Sequence, residues 1–401
     1  MEKICTHPAF EGLIDKSVTE LFSKIKTPCY VIDEKMLLKN AKILSSIMKH
    51  TDCKILLAQK AFSNYDFYPL LSQYISGTEA SGLYETRLGA EEMPDGEVHV
   101  FCAAYRDDEF DEILKYADHI VFNSVNQLKT FGKKAKEKGK SIGIRINPEC
   151  STQESHEIYD PCALGSRLGV TRKIWEKEMN PDLISLLDGL HFHTLCEQNS
   201  DALEITLNAV EEKFSDVLPQ MKWLNMGGGH HITKNDYDDL RLERLITYAK
   251  EKWELCVYLE PGEAVALNAG YLVSQVLDII ENGNTKIAIL DTSAACHMPD
   301  VIEMPYTPQL LNASENGKYT YRLGGPTCLS GDLIGEYSFN NRLEIGDLLI
   351  FGDMAIYTMC KNNTFNGMPL PDIYKMDIND SVSKISNFGY DDFKMRLGSN
   401  K

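Results

Sequence analysis

The sequence lacks any apolar run that approaches the roughly 18 residues a membrane-spanning helix needs. Its first segment, 1–10, carries charged and polar residues and no apolar stretch, so no signal peptide is predicted. The 11 cysteines form no CxxC pair and follow no regular spacing, which argues against a disulfide framework and against a zinc site. From these absences we expect reduced thiols, a cytoplasmic location and no membrane partner.

Positive charge is also scarce in this chain. Lys and Arg total 41 against 59 Asp and Glu, which gives a net charge of −18. Such a surface repels nucleic acids and anionic lipid headgroups, so neither is expected as a partner. An acidic surface could also draw a cationic substrate inward, although solubility alone is the commoner reason for it.

The middle of the 401-residue chain alternates short apolar runs with longer amphipathic stretches. Short apolar runs bounded by polar or turn residues are typical of strands buried on both faces. Apolar residues spaced by three and four predict helices between them, for example at 111–116 and 126–136. The predicted strands are 54–59, 77–80, 97–101, 119–122, 141–146, 189–193, 223–226 and 255–260. Eight strand-then-helix units favour a (β/α)8 TIM-type barrel over an open doubly wound sheet.

A further strand is predicted at 29–32, before the first of these units, with Asp33 as the N-cap of a helix over 34–50. After about residue 268 helical periodicity is largely lost, and turns such as Asn282-Gly283-Asn284 separate short apolar runs. These runs are 271–280, 286–290, 319–323 and 347–351. We therefore predict an α/β + β chain: the barrel spans 34–268, and a second, mainly antiparallel β domain combines 1–33 with 269–401.

Polar residues at the C-terminal ends of barrel strands are where a barrel enzyme works. The first predicted strand leads to Lys60, which is awkward to bury unless it is paired or used chemically, although it could also extend to the barrel rim. Arg145 lies at the end of the fifth strand and Glu260 at the end of the eighth. His191 and His193 share one face of the sixth strand, where core packing explains them better than a metal site with no third ligand.

The seventh strand leads into Gly227-Gly228-Gly229. Without Cβ atoms, the backbone N–H groups of such a turn can converge on an anion, and at this end of a barrel a phosphate is the natural ligand. Triple glycine alone also makes ordinary turns. Together with a lysine, a histidine able to stack on a ring and a carboxylate, however, it indicates pyridoxal 5′-phosphate. The lysine binds that cofactor covalently, and the carboxylate keeps its pyridine nitrogen protonated.

Short motifs that resemble one known family run in order along nearly the whole chain. They are Thr27-Pro28-Cys29-Tyr30, Ala58-Gln59-Lys60-Ala61, His191-Phe192-His193, Gly227-Gly228-Gly229, Glu260-Pro261-Gly262, Gly325-Pro326-Thr327-Cys328, Gly352-Asp353-Met354-Ala355-Ile356-Tyr357 and Phe365-Asn366-Gly367. They resemble the alanine-racemase-type, or fold type III, decarboxylases, which include ornithine, arginine and diaminopimelate decarboxylases. The fold of that family, a barrel plus a β domain, agrees with the fold predicted from the strand pattern.

Glu263 departs from the common pattern of that family. Ornithine and diaminopimelate decarboxylases usually place an arginine there, next to the cofactor phosphate, and a carboxylate would be repelled by that phosphate. Glu263 instead resembles the branch that acts on carboxylated polyamines, as do residues 227–231, 297–300, 303–306 and 388–393. The resemblance implies decarboxylation of carboxynorspermidine or carboxyspermidine to norspermidine or spermidine. The alternative is another substrate of the family, such as diaminopimelate, ornithine or arginine.

The resemblance also assigns roles to residues of the predicted barrel. Lys60 carries the cofactor, His193 stacks on its ring, Glu260 pairs with its pyridine nitrogen, and Arg145 orients the edge of the ring. These residues follow different strands, as expected of a site built at one end of a barrel.

Three further roles follow from the resemblance. The backbone of Gly228 and Gly229 binds the cofactor phosphate, with help from Tyr357 of the β domain. Cys328 returns a proton to the carbon that loses CO₂, and it does so in the partner's site, so a homodimer with shared active sites is expected. Without the resemblance, Cys328 would be interpreted as a small buried apolar residue.

The implied substrate is a polyamine with one α-amino acid end, and its distant amines are cationic at neutral pH. Carboxylates are therefore expected along the site, and the candidates are Glu197, Glu263, Asp300, Glu303 and Asp332. A single acidic residue is more often a solvated surface charge, but these five lie in or beside the motifs that resemble the family.

Three other functions compete with this interpretation. A racemase on the same fold uses two bases, commonly including a tyrosine, and lacks a stretch like the one around Cys328. A catalytically silent cofactor-binding relative usually ends after the barrel. A metal-dependent barrel hydrolase is the best alternative without pyridoxal phosphate, and a visible absorbance spectrum separates it from the first interpretation.

Overall fold

The computed structural model describes residues 16–153, 160–311 and 313–399. The segment 1–10, in which no signal peptide is predicted, and the first 15 residues of the predicted second domain lie outside these ranges. The chain divides into two compact units: Leu38–Val265, and the described residues up to Leu37 together with those from Ala266 onward. Among the described residues, no helix combines the length and the apolar character needed to cross a bilayer.

The unit Leu38–Val265 contains a closed ring of eight parallel strands within its described residues. The strands are Lys54–Ala58, Gly77–Ala80, Glu97–Phe101, His119–Phe122, Ser141–Asn147, Gly189–His191, Trp223–Asn225 and Cys256–Leu259. The ring closes because the eighth strand pairs with the first, and the fourth pairs with the fifth. A short strand, Val170–Thr171, pairs with the end of the fifth strand outside the ring. The predicted barrel is confirmed, and we call this unit the barrel unit.

Helices follow most of these strands. They are Tyr68–Leu71, Leu83–Glu92, Asp107–Tyr116, Val125–Glu137, Arg172–Glu178, Pro181–Ile184, Ser200–Phe214, Asp239–Trp253 and Glu263–Ala266. Val125–Glu137 illustrates how the sequence fixes one of them. The hydroxyl of Ser124 accepts a hydrogen bond from Gln127 N at 3.2 Å and caps its first turn. Leu128 and Phe131 lie on its buried face, at the helical spacing that predicted the helix.

The second unit, which we call the sheet unit, contains one eight-stranded sheet within its described residues. Its strands are Cys29–Asp33, Gly270–Asn282, Thr285–Leu290, Tyr319–Gly324, Leu333–Phe339, Leu348–Gly352, Asp372–Met376 and Val382–Ser386. Most neighbours are antiparallel, as predicted, but the first strand is parallel to Asp372–Met376, and Thr285–Leu290 is parallel to Tyr319–Gly324. The strand Cys29–Asp33, which contains the predicted strand 29–32, pairs with Gly270–Asn282 in this sheet.

Side chains of the sheet unit pack on both faces of the sheet. Alternate residues of a strand point to opposite faces. Leu272 therefore joins a cluster with Tyr337 and Phe351, whereas Tyr271 joins a second cluster with Phe22.

The remaining helices belong to this unit, apart from Glu34–Thr51, which begins in it and continues into the barrel unit. Asp33 caps that helix, since its Oδ1 accepts a hydrogen bond from Met36 N at 3.1 Å. The others are short: Lys16–Phe22, Ala294–His297, Asp300–Glu303, Thr358–Lys361 and Tyr390–Met395.

Candidate active site

The predicted site residues of the barrel unit gather at the C-terminal ends of its strands. Lys60 lies two residues after the first strand, His193 two residues after the sixth, and Glu260 directly after the eighth. Arg145 lies inside the fifth strand. Because the strands are parallel, these ends meet on one side of the barrel, and the Lys60 charge influences the titration of both His193 and Glu260.

Glu260 is the acid of this group, and its carboxylate is buried and hydrogen-bonded. It is 5% exposed and accepts hydrogen bonds from Asn225 Nδ2 at 2.6 Å and from His191 Nε2 at 3.1 Å. Burial alone would raise the pKa of Glu260, but the interaction with His191, followed by the charges of neighbours that include Lys60, lowers it to about 2. Glu260 is therefore kept ionised in the barrel interior, which suits it to hold a cation.

Glu79 lies close enough to Glu260 for the charge of Glu260 to affect its pKa. Sequence reasoning missed Glu79. It lies on the second strand, is 3% exposed, and its Oε2 has no hydrogen-bond partner among the described residues. Burial, and then the Glu260 charge, raise the pKa of Glu79 to about 8. The signal in the sequence was a charged residue within the buried strand Gly77–Ala80. Asn225 was also missed, and its signal was a polar residue at the end of the buried strand Trp223–Asn225.

His193 is held as a neutral ring. Its Nδ1 accepts a hydrogen bond from Gly228 N at 3.4 Å, and its Nε2 lies 3.1 Å from the carbonyl oxygen of Leu195, to which it donates. Burial, and then the charges of Lys60 and Arg145, keep the pKa of His193 well below its usual value. Both nitrogens are thereby fixed in role, so the face of the ring is what it can offer a ligand.

Arg145 is locked in place beside His193. Its guanidinium donates to the His193 carbonyl oxygen at 3.1 Å and lies 4.7 Å from the centre of the Phe101 ring. Burial lowers the pKa of Arg145 to about 10, so the side chain remains a cation at neutral pH. It supplies positive charge inside the barrel without depending on a carboxylate partner for its position.

The glycine turn after the seventh strand approaches other backbone so closely that side chains cannot be accommodated. Gly227 and Gly229 have φ of +70° and +79°, a region that favours glycine. A Cβ atom on Gly228 would lie 2.4 Å from the Glu260 carbonyl oxygen, and one on Gly229 would lie 2.1 Å from that of Leu195. Side chains are thus excluded from this turn, which follows the seventh strand at the C-terminal end of the barrel.

Glu197 and Glu263, two of the predicted substrate-binding residues, lie near this turn in the barrel unit. Each side chain interacts with the other and with His231, whose Nε2 is 3.1 Å from Oε1 of Glu263. Burial, and then the Glu263 charge, raise the pKa of Glu197. The structure therefore brings these two acids together, around a histidine that sequence reasoning did not single out.

Cys328 lies in the sheet unit on an exposed turn. Its Sγ is 2.8 Å from Oδ1 of Asn366, so the thiol donates to a neutral amide oxygen and is held in one orientation. Asp332 organises the same turn. Its carboxylate accepts from the hydroxyls of Ser293 at 2.9 Å and Thr327 at 2.7 Å, and it is 3% exposed.

Asp300 and Glu303 lie at the two ends of one short helix of the sheet unit. Both are paired with Lys361, whose Nζ is 2.9 Å from Oε2 of Glu303. Tyr357, the residue before the helix Thr358–Lys361, has φ of +56°, an uncommon conformation for a side chain of its size. Such backbone is found disproportionately at functional sites.

The predicted site residues thus fall into two groups. In the barrel unit lie Lys60, Arg145, His193, Glu197, Gly228, Gly229, Glu260 and Glu263; in the sheet unit lie Asp300, Glu303, Cys328, Asp332 and Tyr357.

Several known proteins are similar to this chain over most of its length. A family model described as pyridoxal-dependent decarboxylase, C-terminal sheet domain, matches residues 29–355. The chain is 44% identical over 388 residues to a carboxynorspermidine/carboxyspermidine decarboxylase from Campylobacter jejuni, covering 94% of this chain and 99% of the relative. It is 39% identical over 379 residues to a carboxyaminopropylagmatine decarboxylase from Synechocystis, covering 94% of this chain and 96% of the relative.

Solved structures show the same fold. The crystal structure of carboxynorspermidine decarboxylase from Campylobacter jejuni complexed with norspermidine has a TM-score of 0.85 and 41% identity, covering 93% of this chain and 100% of that one. A diaminopimelate decarboxylase from Helicobacter pylori, 19% identical with a TM-score of 0.80 over 95% of this chain and 98% of its own, shares the fold.

Proposed function

The chain belongs to the pyridoxal-dependent decarboxylases, and we propose that it converts carboxynorspermidine or carboxyspermidine to norspermidine or spermidine. One observation carries the proposal: a decarboxylase named for these substrates is 44% identical over 94% of this chain and 99% of its own length. The predicted cofactor and the predicted reaction class, loss of CO₂, are confirmed by the family match and by the named relatives. The metal-dependent hydrolase and racemase interpretations are therefore set aside.

The residues at the barrel end fit pyridoxal phosphate. When bound, this cofactor withdraws electrons from the α-carbon of an amino acid, which allows the carboxylate to leave as CO₂. The fit rests on the chemistry of the side chains: Lys60 provides the amine for covalent attachment, and Glu260 provides a buried carboxylate with a pKa of about 2. A carboxylate that stays ionised keeps a pyridine nitrogen protonated, which is the state in which the ring accepts electrons.

Two further side chains position the ring. His193 offers a ring face, since both of its nitrogens are engaged by Leu195 and Gly228. Arg145, bonded to the His193 carbonyl oxygen, adds a fixed cation at the ring edge. At the other end of the cofactor, the backbone of Gly228 and Gly229 receives the phosphate, because a turn without Cβ atoms lets N–H groups approach an anion. Tyr357 is proposed to add its hydroxyl to that phosphate.

Cys328 is proposed to return the proton after CO₂ has left. The thiol must carry a proton to do so, and the Asn366 amide oxygen accepts a hydrogen bond from it at 2.8 Å. From the resemblance we infer a homodimer in which each site takes Cys328 from the partner chain. The cytoplasmic location expected from the cysteine pattern stays a prediction.

The substrate amines are proposed to be held by the acids of the sheet unit. Asp300 and Glu303 are the candidates for direct contact, and a cationic substrate would share them with Lys361. Asp332 supports this part of the site indirectly, since its oxygens are already bonded to Ser293 and Thr327. The net charge of −18 favours the approach of a polycation.

A substrate panel tests this proposal directly. CO₂ release and the amine product would be measured with carboxynorspermidine, carboxyspermidine, carboxyaminopropylagmatine, diaminopimelate, ornithine and arginine, with Lys60→Ala as the blank. Carboxyaminopropylagmatine is included because a decarboxylase named for it is 39% identical to this chain. We expect kcat/KM for at least one of the first two compounds to exceed kcat/KM for each of the other four by at least about tenfold. This factor is equivalent to about 1.4 kcal/mol in transition-state binding. A preference for any of the other four would contradict the proposed substrate while leaving the cofactor chemistry intact.

A further inference from the structure

Three side chains from three neighbouring strand ends meet next to the glycine turn. Glu197 follows the sixth barrel strand, His231 the seventh and Glu263 the eighth. One ligand atom from each lies within 4.8 Å of the others. Backbone pairing ties the segments together, since Gln198 N donates to the Gly229 carbonyl oxygen at 2.9 Å. The three residues therefore border the turn that is proposed to receive the cofactor phosphate.

His231 is the member of this group whose hydrogen bonds are incomplete. It is 9% exposed, yet its Nδ1 has no hydrogen-bond partner among the described residues. Its Nε2 lies 3.1 Å from Oε1 of Glu263 but is not aligned for a good hydrogen bond. A buried polar atom without a partner is uncommon in a native structure, so the ring is available to a partner that these residues do not supply.

A phosphate next to two carboxylates requires a compensating positive charge. The phosphate monoester of pyridoxal carries close to two negative charges at neutral pH, and Glu197 and Glu263 would both repel it. His231 lies next to both acids and follows Gly229 by two residues, so it is the basic residue of this group that can supply that charge. We propose that His231, held as a cation by Glu263 and Glu197, binds the cofactor phosphate together with the backbone of the glycine turn. The inference rests on the proposed function only in placing that phosphate at Gly228 and Gly229.

This assignment changes the role predicted from the sequence for the two acids. Glu197 and Glu263 act as positioning residues for His231 rather than as ligands of substrate amines. The pKa of His231 supports this: burial lowers it, but Glu263 and then Glu197 outweigh burial and raise it above the ordinary value. The charge of Lys234 also acts on His231, and it lowers the pKa. The cation thus depends mainly on Glu263.

The first test compares two forms of the cofactor. Pyridoxal 5′-phosphate and pyridoxal, which lacks the phosphate, would each be titrated into the full-length chain after cofactor removal, and binding followed by visible absorbance. For His231→Asn we expect affinity for pyridoxal 5′-phosphate to fall by about tenfold or more, as for loss of a charge-assisted hydrogen bond, and affinity for pyridoxal to change by less than about twofold. His231→Gln is the second variant in case one substitution impairs folding.

Other roles of His231 give different results in the same test. If His231 only supports the fold, or if the three side chains hold a metal ion, both forms of the cofactor lose affinity equally. If the two acids bind substrate amines directly, His231→Asn leaves cofactor affinity unchanged. Either result would overturn the proposal. Neither depends on which amino acid is decarboxylated, so failure of the proposed substrate is recognised separately in the substrate panel.

The second test uses pH between 7 and 9.5, where the cofactor phosphate itself no longer titrates. The quantity to follow is the affinity for pyridoxal 5′-phosphate divided by the affinity for pyridoxal. This ratio cancels every contribution that the two forms share, including attachment to Lys60. In the native protein this ratio should fall as pH rises and His231 loses its proton. In Glu263→Gln the fall should move to lower pH, because the charge that raises the His231 pKa is removed. Glu212→Gln, an exposed acid on the helix Ser200–Phe214, is the matched control and should leave the profile unchanged. Identical profiles in Glu263→Gln and the native protein would refute the role given to Glu263.

Discussion

Asn225 Nδ2 lies 2.6 Å from Oε1 of Glu260, and the same asparagine accepts a hydrogen bond from Gly227 N at 2.9 Å. One side chain therefore joins the carboxylate proposed for the cofactor ring to the turn proposed for the cofactor phosphate. A single residue of the seventh strand thus contacts both of the elements that are proposed to hold the cofactor. Because these hydrogen bonds position both elements in advance, we expect binding to need little rearrangement of this part of the chain.

Glu260→Gln should slow the chemical step far more than it weakens cofactor binding. The amide keeps the shape of the side chain but cannot keep the pyridine nitrogen protonated, so the ring becomes a poorer electron acceptor. Removal of one preorganised electrostatic group typically costs about a hundredfold to a thousandfold in rate. Single-turnover decarboxylation and a cofactor titration would be measured on the same variant. An unchanged single-turnover rate would show that Glu260 does not have this role.

Lys60 should be the residue that carries the cofactor. The position of Lys60 at the end of the first strand, with Glu79, His193 and Glu260 all sensitive to its charge, motivates this expectation. Borohydride reduction followed by peptide mapping should place a pyridoxyl group on Lys60. Lys54, at the opposite end of the same strand and paired with Glu97, is an internal control and should stay unmodified. A pyridoxyl group on another lysine would refute the site assignment.

Acidification should destabilise the barrel unit through a stacked pair of histidines at the N-terminal ends of its strands. The rings of His99 and His119 are 3.9 Å apart and nearly parallel. Burial, and then the charge of His99, lower the pKa of His119 to about 3. The unfolded chain takes up a proton near pH 6.5 while the folded chain does not, so the stabilisation is present above that pH and is lost as pH falls toward 3.

A variant isolates this contribution. Apparent melting temperatures would be recorded between pH 7.5 and 5.5 for the native protein, for His119→Gln and for Asn126→Gln, a control at an exposed residue that does not titrate. The loss of melting temperature on acidification should be smaller in His119→Gln, because the unfolded state of that variant binds one proton fewer. The control should follow the native curve. If all three curves fall in parallel, His119 does not contribute to the acid sensitivity.

The barrel could be predicted from the sequence because strands buried on both faces leave a pattern of short apolar runs. The ends of the strands could not be predicted as well. The predicted strand 189–193 ends at His191, because the chain then turns to place the His193 ring against Gly228 N. That turn depends on the neighbouring strand end, which a local pattern does not contain.

The site residues, too, could be predicted only where the local sequence pattern reveals them. Lys60 and Glu260 stand out locally, since each follows an apolar strand within a motif. Other site residues can be recognised only from their partners on other segments, and these are Glu79, Asn225 and His231. The partner of Asn225 is Glu260, 35 residues later. The partners of His231 are Glu263 and Glu197. Single polar residues of this kind are found only when the fold brings their partners together.

Active sites should be shared between two chains. Lys60 belongs to the barrel unit and Cys328 to the sheet unit, and in the family that the sequence resembles each site takes its cysteine from the partner chain. Lys60→Ala subunits would be mixed with Cys328→Ala subunits under conditions in which exchange is demonstrated. Random pairing makes about half of the dimers mixed, and each mixed dimer has one intact site and one site that lacks both residues, so roughly a quarter of native sites should reappear.

The decarboxylated amine is the product to measure in that experiment. Loss of the thiol changes how the reaction ends without stopping CO₂ release, so CO₂ alone would overestimate the activity of Cys328→Ala. Asn366→Ala offers a matched comparison, because it removes the acceptor that orients the thiol at 2.8 Å but leaves the thiol in place. The mixture of Lys60→Ala with Asn366→Ala should form more amine than the mixture of Lys60→Ala with Cys328→Ala. It should form less amine than the native protein. If mixing Lys60→Ala with Cys328→Ala restores no amine, Cys328 acts within its own chain or takes no part in the reaction, and the proposed shared site is wrong.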